Sequence, residues 1–175
     1  TDTVVDDLLW QGRRVVGIKA RRQEGEINAD VVLVADGANS LLAEKAGLRR
    51  ELLPGQVAVA AKEVLSLPPE TIEQRFNLEP DEGVANLFVG FCTGGVAGGG
   101  FLYTNKTTIS LGVVANLRVL QGKRVSIVQL LEDFEQHPYI SKFVQGGTVK
   151  EYSGHMIPEG GLKAIPKLYG DGILL

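Results

Sequence analysis

"ADVVLVADGANSLLAEKAGL", residues 29–48, carries five apolar residues, Val31 to Ala35, into Asp36-Gly37 and then into a short helical pattern. Val31–Ala35 has the β-branched content and length of a buried strand, and Asp-Gly is a common chain-reversal dipeptide. Leu41 to Ala46 predicts a turn or two of helix, with Asn39 or Ser40 as N-cap and Gly47 as C-cap. The stretch is therefore a strand, a tight turn and a helix. A turn alone accounts for Gly37. The same geometry also presents free N–H groups and a partial positive charge to an anion such as a pyrophosphate. Local residues do not choose between the two readings.

Upstream, "VVDDLLWQG", "RRVVGIKARRQEG" and "EINADVVLVADG" predict a three-stranded meander turning at Gly12 and Gly25, its last strand the most apolar and most buried. Downstream, "GQVAVAAKEVLSL" alternates as a strand does, and "PPETIEQRF" opens a helix with Pro68 and Pro69 near its first turn. A second segment starts near Arg50. Three more strands follow, "VANLFVGF", "GGFLYTN" and "TTISLGVVANL", with short connections that point to an antiparallel sheet. Ser126 to Phe143 reads as one long helix, because Ile127, Leu130, Leu131 and Phe134 recur at helical spacing, bent or broken at Pro138. The end, "SGHMIPEGGLKAIPKLYGDGILL", reads as an irregular Gly/Pro-rich segment closing on a strand. The fold class is α+β.

Composition narrows the chemistry. The 175 residues carry a net charge of −3 with no run of five like charges, which speaks against a nucleic-acid partner. The single cysteine, Cys92, excludes an intrachain disulfide and reads as a buried small hydrophobe. His137 and His155 form no metal-ligand spacing with it, so no metal site is expected. The uncharged stretch Gly83–Asn105 is long enough to cross a bilayer, but its glycines, Thr and Asn favour two strands and a turn. "TDTVVDDLLW" has no signal-peptide pattern, and a cytoplasmic location is expected, with peripheral membrane contact left open. "GGVAGGG", residues 94–100, lacks the offsets of a dinucleotide or phosphate loop and reads as a turn. No G-x-S-x-G elbow is present, and the pairs Asp6-Asp7 and Glu132-Asp133 read as solvated.

The order of a meander ending in "ADVVLVADGANSLLAEKAGL", an antiparallel sheet with a long helix, and then "GHMIPEGGLKAIPKLYGDGILL" resembles the flavoprotein group of FixC-type dehydrogenases, geranylgeranyl reductases and electron-transfer-flavoprotein:quinone oxidoreductases. It looks most like FixC-type proteins, on the segment "GGLKAIPKLYGDGILL". The resemblance implies a PHBH-like flavoprotein. Residues 1–49 would belong to a discontinuous FAD-binding domain, 50–150 to a substrate-side antiparallel sheet, and 151–175 to a return segment toward the FAD domain.

Asp36 and Gly37 match the internal Asp-Gly motif of that group and are the implied cofactor-binding residues. The group's G-x-G-x-x-G would lie before Thr1 and its Gly-Asp motif after Leu175, while Asp171-Gly172 has the reverse order. An internal fragment is therefore expected, inactive alone and not retaining FAD. Leu87, Phe101, His155, Gly160 and Gly161 are candidates for the wall facing flavin and substrate; His155 reads first as a surface or core-satisfied histidine and second as a proton donor beside the flavin. No catalytic residue is assigned. The implied function of the intact protein is FAD-dependent electron transfer toward a quinone or ferredoxin-like acceptor, with electron-transfer flavoprotein or a ferredoxin-like protein as partner. A geranylgeranyl-reductase-like enzyme acting on a prenyl chain and a non-catalytic binding module remain as alternatives.

Overall fold

The computed structural model describes residues 2–175. In chain order its strands and helices are β1 Val5–Gln11, β2 Arg14–Ala20, β3 Glu26–Asn28, β4 Val32–Leu33, α1 Leu41–Lys45, β5 Val57–Ser66, α2 Pro69–Phe76, β6 Ala85–Phe88, β7 Gly98–Thr104, β8 Thr108–Asn116, α3 Leu117–Lys123, α4 Ile127–Gln136, α5 Pro138–Val144, β9 Thr148–Pro158, β10 Tyr169–Gly170 and β11 Ile173–Leu174. The chain divides into two compact units, one of residues 1–53 with 160–175, the other of residues 54–159.

In the first unit, β1, β2 and β3 form the expected antiparallel meander. Its third strand is shorter than the sequence implies. After Asn28 the chain leaves that sheet, and β4 pairs in parallel with β11 while β10 pairs antiparallel on the far side of β11. The expectation of one buried strand over 31–35 is corrected accordingly. Val32 and Val34 are buried against Leu8, Val15, Ala43 and Ile173, whereas Val31 and Leu33 are 55% and 71% exposed. Period-two alternation puts every second residue on the opposite face, so an unbroken apolar run does not by itself bury a strand on both sides. Asp6 and Asp7, read as solvated, are exposed and paired, Asp6 with Arg21 at 2.6 Å and Asp7 with Lys45 at 3.4 Å.

The second unit is a five-stranded sheet in the order β6-β7-β8-β5-β9, antiparallel throughout. The helices supply Ile72, Leu120, Leu130, Leu131, Phe134, Ile140 and Val144 to one core, which they share with Ala61, Leu65, Leu102, Ile109, Leu111, Val113 and Ala115 of the strands. Those strand residues lie on a single face, because they follow the alternation through every paired register. Phe134 anchors the core at 1% exposure with its ring edge against Phe88, centroids 5.3 Å apart. Cys92 is buried beside it.

Three further segments sharpen or change the reading. The helix over 126–143 is broken rather than bent at Pro138, into α4 and α5 joined at His137: Pro138 has no N–H to continue α4, and it starts α5 at the position where prolines are tolerated. The strand read as far as Leu117 ends at Asn116, whose side chain accepts from the Val119 N–H and caps α3, a helix over residues that the sequence reading left unassigned beyond 117. Residues 153–158, expected to be irregular, belong to β9, an eleven-residue strand that pairs along the length of β5. Among the described residues, no helix is long and apolar enough to cross a membrane.

Candidate functional site

The Asp36–Gly37 junction is built by short-range bonds. The Asp36 carboxylate accepts from the Leu42 N–H at 2.8 Å, so it caps α1. Ser40 stands at the N-cap position, as the sequence implies, but its side chain does not cap the helix. Held in a left-handed conformation and 4% exposed, it donates its hydroxyl to the Gly37 carbonyl at 2.7 Å and accepts from Arg49. Arg49 also donates to the Ala38 carbonyl at 3.0 Å, while its Nε is buried without a partner. Gly37 sits at φ +66°, with open space where a Cβ would stand. That backbone favours glycine and leaves the chain approachable there. With α1 only five residues long and its Leu42 N–H taken, the helix start offers little to an anion.

The sheet of the second unit has a face that bears none of the helix-packed core. Cross-strand partners share a face, and the register links Leu87, Phe101, Gly112, Lys62 and Ser153 into one row. A parallel row two residues along joins Gly99, Val114, Ala60 and His155. The candidates Leu87, Phe101 and His155 therefore share this helix-free face. Gly160 and Gly161 belong to the other unit, at the start of a 3-10 turn over Gly161–Ala164.

Along β6 and β7 the face is apolar. Leu87 is 74% exposed, and the rings of Phe101 and Tyr103 stack with centroids 4.8 Å apart and planes at 24°. Phe101 lies directly over Gly112, since a Cβ there would come within 2.2 Å of the ring. Along β5 and β9 the face is polar. Lys62 Nζ lies 3.3 Å from Glu151 Oε1, and the Ser153 hydroxyl donates to the same carboxylate at 3.0 Å. The Ser153 bond, then Lys62, holds the Glu151 carboxyl below its usual range. Lys62 and Tyr103 were missed from the sequence, although the alternation of "VAVAAKEV" sets Lys62 on the side of Ala58 and Ala60.

On the opposite, helix-facing side of β5 stands Glu63, one of whose carboxylate oxygens is buried without a partner. Burial first, then Glu135 and Glu132 of α4, push its carboxyl above the usual range. Tyr152, its cross-strand partner, is raised by burial and by Glu63 and Glu132. Among the described residues no group of three or more His, Cys, Asp or Glu side chains is placed to hold a metal ion.

No protein-family model matches the chain. A protein named FixC from Shigella flexneri is 47% identical over 172 residues, which cover 98% of this chain and 40% of that protein. The probable electron transfer flavoprotein-quinone oxidoreductase YdiS of Escherichia coli K12 is 45% identical over 171 residues, covering 98% of this chain and 39% of that protein. Among solved structures, a geranylgeranyl bacteriochlorophyll reductase-like protein from Thermoplasma acidophilum superposes with a TM-score of 0.71 at 15% identity, over 98% of this chain and 40% of that one, a likeness of fold. Over nearly its whole length the chain is similar to part of the FixC and electron-transfer-flavoprotein–quinone oxidoreductase proteins, and it spans about 40% of their length.

Proposed function

We propose that the full-length protein is an FAD-dependent oxidoreductase of FixC type that passes electrons toward a quinone or ferredoxin-like acceptor, with electron-transfer flavoprotein or a ferredoxin-like protein as its partner. On this reading the unit of residues 1–53 and 160–175 belongs to the FAD-binding domain, and the unit of residues 54–159 is the substrate-side domain of a PHBH-like flavoprotein. The relatives' names support the reaction class. The observation that carries the site is the register that puts Leu87, Phe101 and His155 on one helix-free face.

The residues present fit a flat conjugated ring. Gly99, Gly112 and Ala60 carry little or no side chain on this face, and the Phe101 ring fills the space over Gly112. FAD, when bound, supplies the redox chemistry. This chain's part is to shape the wall, exclude water and present few polar groups, as sites for such ligands do. At the junction, Gly37 leaves the backbone approachable and Asp36 fixes the turn by holding α1. Gly160 and Gly161 of the first unit and His155 of the sheet face are kept as substrate-facing candidates, and no catalytic residue is assigned.

The test uses the full-length protein. Purification should yield stoichiometric flavin absorbance, and Leu87→Gln or Phe101→Gln should slow reduction of a soluble quinone severalfold while flavin content is kept. A full-length protein that is colourless after expression and reconstitution with FAD overturns the reading, and unchanged quinone kinetics in folded, flavin-loaded variants remove this face from the acceptor site.

A further inference from the structure

Lys62 is out of character for its position. β5 is an interior strand, flanked by β8 and β9, and the neighbours of Lys62 across the register are Gly112 and Ser153. In the two rows traced above it is the only lysine or arginine. Its side chain is 29% exposed, so the stem lies along the sheet, one strand from the glycine that carries the Phe101 ring. Its partner Glu151 is 54% exposed. An ion pair at that exposure is screened by solvent and holds the two side chains together only weakly. It is therefore a weak hold on a cation whose charge, on a partly desolvated face, acts more strongly on a bound group than it would in water.

We infer that Lys62 is the cation facing the carbonyl edge of a conjugated ring bound on this sheet, and that Glu151 is the resting partner from which the ring's oxygen draws it. This rests on the flavoprotein reading above. The ligand chemistry is a planar ring whose carbonyl oxygen becomes more negative on reduction: two electrons and one proton added to a neutral ring leave one net negative charge, which the ammonium meets. Two rings have this chemistry, the flavin itself and an acceptor quinone. Phe101 and Tyr103 provide the stacking surface on the apolar side, and Lys62 provides the charge on the polar side. The two carboxylate contacts set the sign of the effect. Neutralising Glu151 frees Lys62 for the ring, whereas removing Lys62 takes the charge away.

The experiment takes the full-length protein with its flavin content measured first, and compares Lys62→Met, Lys62→Arg and Glu151→Gln. The two readouts are the flavin midpoint potential in dithionite titration without quinone, and the KM for menadione. If the ring is the flavin, Lys62→Met lowers the potential by about 30 mV, a tenfold weaker preference for the reduced ring in a two-electron couple. Glu151→Gln then raises it, and Lys62→Arg keeps it near the original value. If the ring is the quinone, the potential stays fixed while the menadione KM rises about tenfold in Lys62→Met and falls in Glu151→Gln. Either pattern of opposite signs supports the assignment. Shifts of the same sign, or none in folded, flavin-loaded variants, overturn it and leave the ion pair as a brace between β5 and β9. If Lys62→Met does not fold, Glu151→Gln decides alone, since no movement in either readout overturns the assignment. A wild-type protein without flavin sinks the flavoprotein reading itself, a result distinct from flavin-loaded variants that do not respond.

Discussion

The two units bury their apolar strands to different degrees. In the second, long antiparallel strands turn one apolar face to the helices, and Leu102, Ile109, Leu111, Val113 and Ala115 are all fully buried there. In the first, the parallel pair β4–β11 is two residues long, and while Val32 and Ile173 are buried on one side, Leu33 and Leu174 are 71% and 46% exposed on the other. The comparison teaches that a strand's apolar residues are buried where a second layer covers them: the helices of the second unit cover one face of its sheet, whereas the described residues, about 40% of the relatives' length, supply no such layer over Leu33 and Leu174.

The largest effect that tests this contrast is on the second unit's core. Phe134→Ala removes the ring at the centre of that layer and should cost about 3–5 kcal/mol, measured by urea denaturation of the full-length protein. A cost under about 1 kcal/mol would mean that the core is not organised around this ring. In the first unit, beside its smaller core, the feature to test is a cap. Asp36→Ala strips the Leu42 N–H of its partner and should cost about 1 kcal/mol, with faster amide exchange confined to α1 and the turn before it. On the proposed function it also lowers flavin retention while the second unit keeps its exchange protection. Full flavin content and unchanged exchange at Leu42 would return Asp-Gly to an ordinary turn.

The smallest effect is one of pH. Because the folded-state carboxyl of Glu63 titrates above its usual value, its contribution to stability is fully present below the unfolded value of 4.5 and is lost as the pH rises through the folded value. Glu63→Gln should therefore raise the melting temperature by a few degrees at pH 8, with the gain vanishing near pH 4. The groups around it, Glu132 and Glu135 of α4 and Tyr152 of β9, offer no compensating cation among the causes of the shift, which is why the sign is stabilising. An equal gain at both pH values would show that volume or hydrogen bonding, not charge, limits this site.

Much of the sheet was legible because its signals are local. β5, β6, β7 and β8 follow from alternation, α2 from Pro69 at its first position, and the break between α4 and α5 from Pro138. The Cys92 environment follows from composition, and burial raises its thiol. β9 was not legible, since "TVKEYSGHMIP" has no apolar face of its own: its residues are nearly all exposed, and it is a strand because the edge of β5 is there to pair with it.

By itself the sequence determined the class of the chain, the strands and helices whose pattern repeats within a few residues, and the likeness to flavoproteins carried by "ADVVLVADGANS" and "GGLKAIPKLYGDGILL". The tertiary structure alone decided that β4 leaves the meander for β11, some 140 positions later, that Asp36 rather than Ser40 caps α1, and that Leu87, Phe101, Lys62 and His155 share a face. The physical reason is range. Alternation and capping preferences act between neighbours in the chain, whereas which strands pair, and in which register, is fixed by burial and by backbone groups that must find partners far away in sequence.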